Sequence, residues 1–126
     1  MTWRDHDTAT SHFIGSSDEA GLRLHLRAHN DAAGNVPVLF VHGAPYASRL
    51  YDIPHPGASW LKATAALGYA AYALDIRGYG MSHSPHTLPS ASPYAIGAQA
   101  VTDIGDAVEW IKARHGCDHI GLVGGS

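Results

Sequence analysis

The sequence predicts an α/β fold, a mostly parallel sheet flanked by helices, and two observations carry that prediction. Three short runs, residues 36–41, 69–74 and 119–123, are almost continuously apolar. Runs of this kind are strands buried on both faces, as in the centre of a parallel sheet. Segments with helical spacing separate them, so strands and helices alternate along the chain. That order calls for parallel strands joined by right-handed crossovers.

Each element follows from its residues. Residues 1–20 mix Asp, His, Thr and Ser without periodicity and read as a loose arm or a short piece of edge structure. Residues 21–28 alternate apolar and polar, the period-two pattern of a strand with one buried face. Residues 30–35 carry turn chemistry. The first buried strand, 36–41, runs into an irregular stretch, 46–57, with Pro54 and Pro56. Residues 58–67 read as a helix with a partial apolar stripe of Trp60, Leu61, Thr64, Ala65 and Leu67, closed by Gly68. The second buried strand, 69–74, leads into a turn over 75–82. Residues 83–93 hold three prolines and read as loop. Residues 97–115 form the strongest helix of the chain, with Val101, Ile104, Val108 and Ile111 on one face. Lys112, Arg114 and His115 sit in its last turn, where positive charge suits the helix dipole, and Gly116 ends it. The third buried strand follows. No repeat or linker divides the chain, so residues 1–126 are expected to belong to one domain, with an arm over 1–20.

Composition narrows the function. Hydrophobic residues make up 45% and charged residues 15% of the chain, and the formal net charge is -3. A mildly acidic chain of this kind offers no electrostatic footprint for nucleic acid or an anionic membrane. No stretch approaches the roughly 20 apolar residues of a membrane span. The polar, acidic start lacks the apolar core of a secretory signal, and the single Cys117 has no partner for an internal disulfide, so a cytoplasmic setting is expected. The ten histidines do not assemble a metal site. His83 and His86 lie in a Pro/Ser loop without acidic or cysteine partners, and His115 and His119 flank a helix end, so solvated histidines are expected and neither metal nor cofactor is. Cys117 has no local acid–base partner and reads as inert.

Three landmarks carry chemistry. His42-Gly43-Ala44-Pro45 follows the first buried strand, Asp75-Ile76-Arg77-Gly78-Tyr79-Gly80-Met81-Ser82 the second, and Gly124-Gly125-Ser126 the third. In order, each behind a strand, they resemble the α/β-hydrolase superfamily. There an HGxP-type oxyanion loop, a D-x-R-G-x-G-x-S turn and a nucleophile elbow, G-x-S-x-G, follow successive strands. The resemblance covers residues 21–126 and implies the N-terminal half of an α/β-hydrolase fold ending at the elbow. It implies Ser126 as nucleophile, because L-V-G-x-S places the serine there. A second register, with residue 127 as nucleophile, fits that pattern less well. It also implies the Ala44 N–H as an oxyanion donor, with Gly43 letting the chain bend toward substrate and Pro45 stiffening the loop. His42 is expected to brace this loop rather than act as base, since the family's chain order is serine, acid, histidine. Asp75, Arg77, Gly78 and Gly80 are expected to shape the adjacent turn, with Ser82 a local hydrogen-bonding group.

A serine, not an aspartate, at the elbow points to ester, thioester or amide chemistry and away from the epoxide hydrolases and haloalkane dehalogenases of the same fold. The expected partners are a small-molecule acyl substrate and the remaining C-terminal half of the hydrolase, in the same chain or a split one. The acid, the histidine and the second oxyanion donor are all expected beyond Ser126. These 126 residues alone are therefore expected to be inactive and poorly soluble. The alternative function is an inactive hydrolase-like protein that binds through the same pocket. The loops over 46–57 and 83–93, with Tyr46, Tyr51 and Met81, are expected to line part of that pocket.

Overall fold

The computed structural model describes residues 8–44, 46–83 and 97–125. Within them five strands form one sheet: β1 (Thr10–Gly15), β2 (Arg23–His29), β3 (Pro37–Val41), β4 (Ala70–Leu74) and β5 (Gly121–Gly124). Their spatial order is β1-β2-β4-β3-β5. β4, β3 and β5 run parallel, while β2 pairs antiparallel with both β1 and β4. The two helices are α1 (Trp60–Ala66), between β3 and β4, and α2 (Gly97–His115), between β4 and β5. The fold is α/β, as expected.

Alternation along the strands divides the core into two layers. Leu24, Leu26, Ala28, Leu39, Tyr72 and Leu74 face α2, which contributes Ala107 and Ile111. Phe40, Ala71 and Ala73 face the other way, against Leu61 of α1 and Tyr51. Every residue of β4 is buried, which is why that run reads as continuously apolar.

Local chemistry sets the helix ends. Ser59, in an extended conformation, caps α1 by accepting the Lys62 N–H at 3.0 Å. Gly68, at φ +96°, ends it with its N–H on the Ala65 carbonyl. α2 ends at Gly116, φ +61°, behind the expected basic last turn.

Four expectations need correction in whole or in part. Of the two readings of the N-terminal segment, edge structure replaces the loose arm over Thr10–Gly15, where β1 pairs along its length with β2. β2 does not have a solvated face: His25, Arg27 and His29 are buried as well as Leu24, Leu26 and Ala28. Buried carboxylates, described below, cover those three polar side chains. On α1 only Leu61 is buried, and Trp60 and Leu67 are exposed. On α2 the expected face holds at Ile111, which is buried, and at Ile104 and Val108, which pack against the core, while Val101 is exposed and Asp103 and Ala107 are buried beside it. The irregular stretch after β3 also contains a single 3-10 turn, Ser48–Tyr51.

Candidate active site

Strand register brings the three landmarks to one edge of the sheet. Val41 lies opposite Leu74 in β4 and opposite Gly124 in β5, so the three parallel strands end level with one another. His42, Asp75 and Gly125 are the next residues of each. The chain leaves β3 toward β4 on one side and returns to β5 on the other. Ligands of open α/β sheets bind in the crevice that such a reversal opens at the carboxyl ends of the strands.

The described residues place some of the expected site residues on that edge and others away from it. Ser126 and Pro45 lie outside the described residues, as do residues 84–96, which include His86 and most of the expected 83–93 loop. The β3 landmark turns back at once, with the Tyr46 N–H on the Gly43 carbonyl at 2.8 Å. Ala44 is exposed within that turn, and among the described residues no acceptor meets its N–H. His42 is buried. Its Nε2 accepts the Ile76 N–H at 3.1 Å, and its Nδ1 is 3.1 Å from the Gly43 carbonyl. An Nε2 lone pair that already takes a backbone N–H puts the proton of the neutral ring on Nδ1. The Tyr79 ring packs edge-on at 5.3 Å. Gly124 ends β5, and the Gly125 N–H reaches the Val41 carbonyl at 2.9 Å.

Asp75 is a hub. Oδ1 accepts the Ser48 N–H at 2.7 Å, and Oδ2 accepts the Met81 N–H at 3.1 Å and lies 2.7 Å from His25 Nδ1. Burial works against its charge, but these bonds outweigh burial and hold the carboxyl below its ordinary 3.8. An ionised Asp75 only accepts, so His25 donates from Nδ1, and its Nε2 lies 2.8 Å from Ser11 Oγ. The series Ser11–His25–Asp75 has the hydrogen-bond order of a catalytic relay. Its imidazole is buried, with the Phe13 ring 5.1 Å away, and the series ties β1, β2 and β4 together. Gly80, at φ +52°, passes so close to the Asp75 carboxylate that any Cβ would collide with it. Gly78, at φ +84°, closes the turn by donating to Ser82. Ser82 Oγ donates to the Asp75 carbonyl and accepts the His25 N–H.

Arg77 does not face the strand ends. It is 1% exposed, with Nη2 at 2.7 Å from Asp103 of α2 and 2.6 Å from Asp18. Burial alone would depress the guanidinium, and the two carboxylates more than reverse that. A second buried carboxylate, Asp52, takes Arg27 Nε at 2.6 Å, His29 Nε2 at 2.9 Å and the Ser59 hydroxyl at 2.6 Å. Here too burial raises the pKa, and the bonds from His29, Ser59 and Arg27 carry it well below the usual range. This cluster fixes the long connection after β3 to β2 and to the start of α1.

Sequence reasoning missed His25, Asp52 and Asp103, whose partners are remote in the chain. The one available signal was the unusual set of His, Arg and His on the polar face of β2. The expected pocket lining divides: Tyr46 and Met81 are exposed, but Tyr51 is buried beneath Gly125. His115, expected to be solvated, bonds Tyr72 Oη at 2.7 Å. A cleft of about 480 Å³ lies between residues 54–57 and Ser59, Lys62 and Ala63, and none of the expected site residues lines it. Among the described residues no group of three or more His, Cys, Asp or Glu is gathered for a metal, and no helix is long and apolar enough to cross a membrane.

Comparisons with known proteins agree with this fold. A family model described as alpha/beta hydrolase fold matches residues 36–126. No curated protein matches. Among solved structures, an esterase from Pyrococcus furiosus is 20% identical over 98% of this chain and 44% of its own, with a TM-score of 0.68. The thioesterase domain of the curacin biosynthetic pathway is 19% identical over 94% of this chain and 35% of its own, at 0.64. Epoxide hydrolase A from Mycobacterium thermoresistibile is 25% identical over 93% and 31%, at 0.60. The chain thus spans less than half the length of each of these structures.

Proposed function

Since the chain belongs to the alpha/beta hydrolase fold family, we propose that it is the N-terminal part of a serine hydrolase that cleaves an ester, thioester or amide of a small molecule. The observation that carries the reading is the juxtaposition at the strand ends. After β3 comes an exposed Ala44 whose N–H meets no acceptor among the described residues, and after β5, whose Gly124 is in register with Val41 of β3, comes Gly125, the residue before Ser126.

The chemistry follows from these positions. Ser126 Oγ attacks the acyl carbon while a histidine expected beyond residue 126 takes its proton. Negative charge then develops on the former carbonyl oxygen. The Ala44 N–H and the N–H of residue 127 are the donors that stabilise it. The intermediate collapses to an acyl-serine and expels the alcohol, thiol or amine, which takes the proton from the histidine. Water, deprotonated by the same histidine, releases the acid. His42 holds the oxyanion loop through its two backbone bonds, and Asp75 holds the turn beside it. The esterase and the thioesterase among the similar structures support acyl chemistry, and the serine that the resemblance puts at the elbow favours it over epoxide hydrolysis. The single cysteine supports a cytosolic setting.

A fluorophosphonate probe is expected to label the full-length protein that carries these residues, on Ser126, and Ser126→Ala is expected to abolish labelling and ester turnover. Folded full-length protein that resists the probe would leave the binding-protein alternative in its place.

A further inference from the structure

Two N–H or O–H donors meet on one carbonyl beneath the elbow. Tyr51 Oη donates to the Val41 carbonyl at 2.9 Å, and the Gly125 N–H donates to the same oxygen at 2.9 Å. Tyr51 comes from the 3-10 turn, is 7% exposed, and packs its ring against Phe40 at 5.1 Å. Burial pushes its phenol above the ordinary 10.0, so it stays a donor at neutral pH.

Gly125 occupies the variable position of G-x-S, where most side chains satisfy the motif. Here its φ is not in the left-handed region, so backbone conformation does not demand glycine. Space does. A Cβ at position 125 would stand 2.5 Å from Tyr51 Oη, whereas its next neighbours, Tyr51 Cζ and the Val41 carbonyl, would be 3.6 and 4.0 Å away. One oxygen atom therefore accounts for the glycine.

We propose that Tyr51 is a positioning residue for the Ser126 nucleophile. Its hydroxyl shares the Val41 carbonyl with Gly125 and fills the space a side chain there would need, fixing the path of the chain into Ser126. The role rests on the serine-hydrolase reading and acts through Gly125, not on the substrate.

The test is a double-mutant cycle in the full-length protein, read as the fluorophosphonate labelling rate and as kcat and KM on a short-chain p-nitrophenyl ester, with thermal unfolding alongside. Gly125→Ala is expected to slow labelling by about 10²-fold, the cost of misplacing a reacting group by about an ångström. Tyr51→Phe keeps the ring and removes the oxygen. On its own it is expected to lower kcat by about tenfold with KM little changed. Placed with Gly125→Ala, it is expected to restore most of the lost rate, because the clashing atom is gone. Additive losses in the double variant, or wild-type rates for Gly125→Ala alone, would overturn the positioning role while wild-type labelling leaves the hydrolase reading standing. If Gly125→Ala does not fold, recovery of folding and labelling in the double variant supports the role, and no recovery overturns it. Wild-type protein that is not labelled on Ser126 overturns both.

Discussion

Arg77 has its guanidinium against Asp103 and Asp18 and its backbone N–H on Asp103 Oδ2 at 2.9 Å. Asp103 is fully buried, so removing it strands a positive charge away from water. Breaking a buried pair in this way costs about 3–5 kcal/mol. Asp103→Ala is accordingly expected to destabilise the protein by about 3 kcal/mol in urea unfolding, the lower end of that range, because Asp18 remains. Asp18→Ala, whose carboxylate is largely exposed, is expected to cost much less. Asp75 and Arg77 were legible in the sequence as members of a motif. Their partners were not, since His25 stands 50 residues from Asp75 and Asp103 stands 26 from Arg77. A pairing across that distance exists only once the sheet has formed, and no local pattern announces it.

Among the elements, α1 shows how little of a short helix its own stripe decides. Seven residues form too short a helix to persist alone, and Leu61 is its only buried side chain. Beside the packing of Leu61, Ser59 supports it, capping the helix and donating to Asp52. Ser59→Ala is expected to cost about 1–2 kcal/mol in the same urea assay, the upper part of the range for a lost cap. Ser59→Asp keeps a capping oxygen but sets a second carboxylate against Asp52, and is expected to be no better. Strands β3, β4 and β5 were legible because burial on both faces leaves an unbroken apolar run. β1 was legible only as one of two readings, because an edge strand needs no such run, and the polar positions of β2 gave the wrong face to solvent because ion pairs replace water there. α2 was legible to the residue in its extent and, through Ile104, Val108 and Ile111, in most of its buried face, but not in Asp103, which is buried on a remote arginine and not by apolar spacing.

At the scale of the whole molecule, two buried carboxylates set the response to acid. Asp52 and Asp75 both have folded pKa values below 3.8. Their contribution is therefore complete above 3.8 and is lost as pH falls from there through the folded values. The melting temperature is expected to drop steeply below about pH 4, and Asp52→Asn is expected to flatten that drop while lowering stability at pH 7. A profile of melting temperature from neutral pH down through this range would show whether the two carboxylates govern it. Asp75, with the Arg77–Asp103 pair, also holds the described parts of the connection between β4 and β5. Residues 75–82 are locked on one side by Asp75, Ser82 and Gly78, and the beginning of α2 is locked on the other by Asp103. Whatever runs between Ser82 and Gly97 starts and finishes at anchors that do not depend on its length. Doubling a flexible loop costs only about 0.6 kcal/mol in closure entropy. This connection is thus a natural port for grafting, where a foreign segment enters after an anchored turn and leaves into an anchored helix while the sheet is unaware of the change.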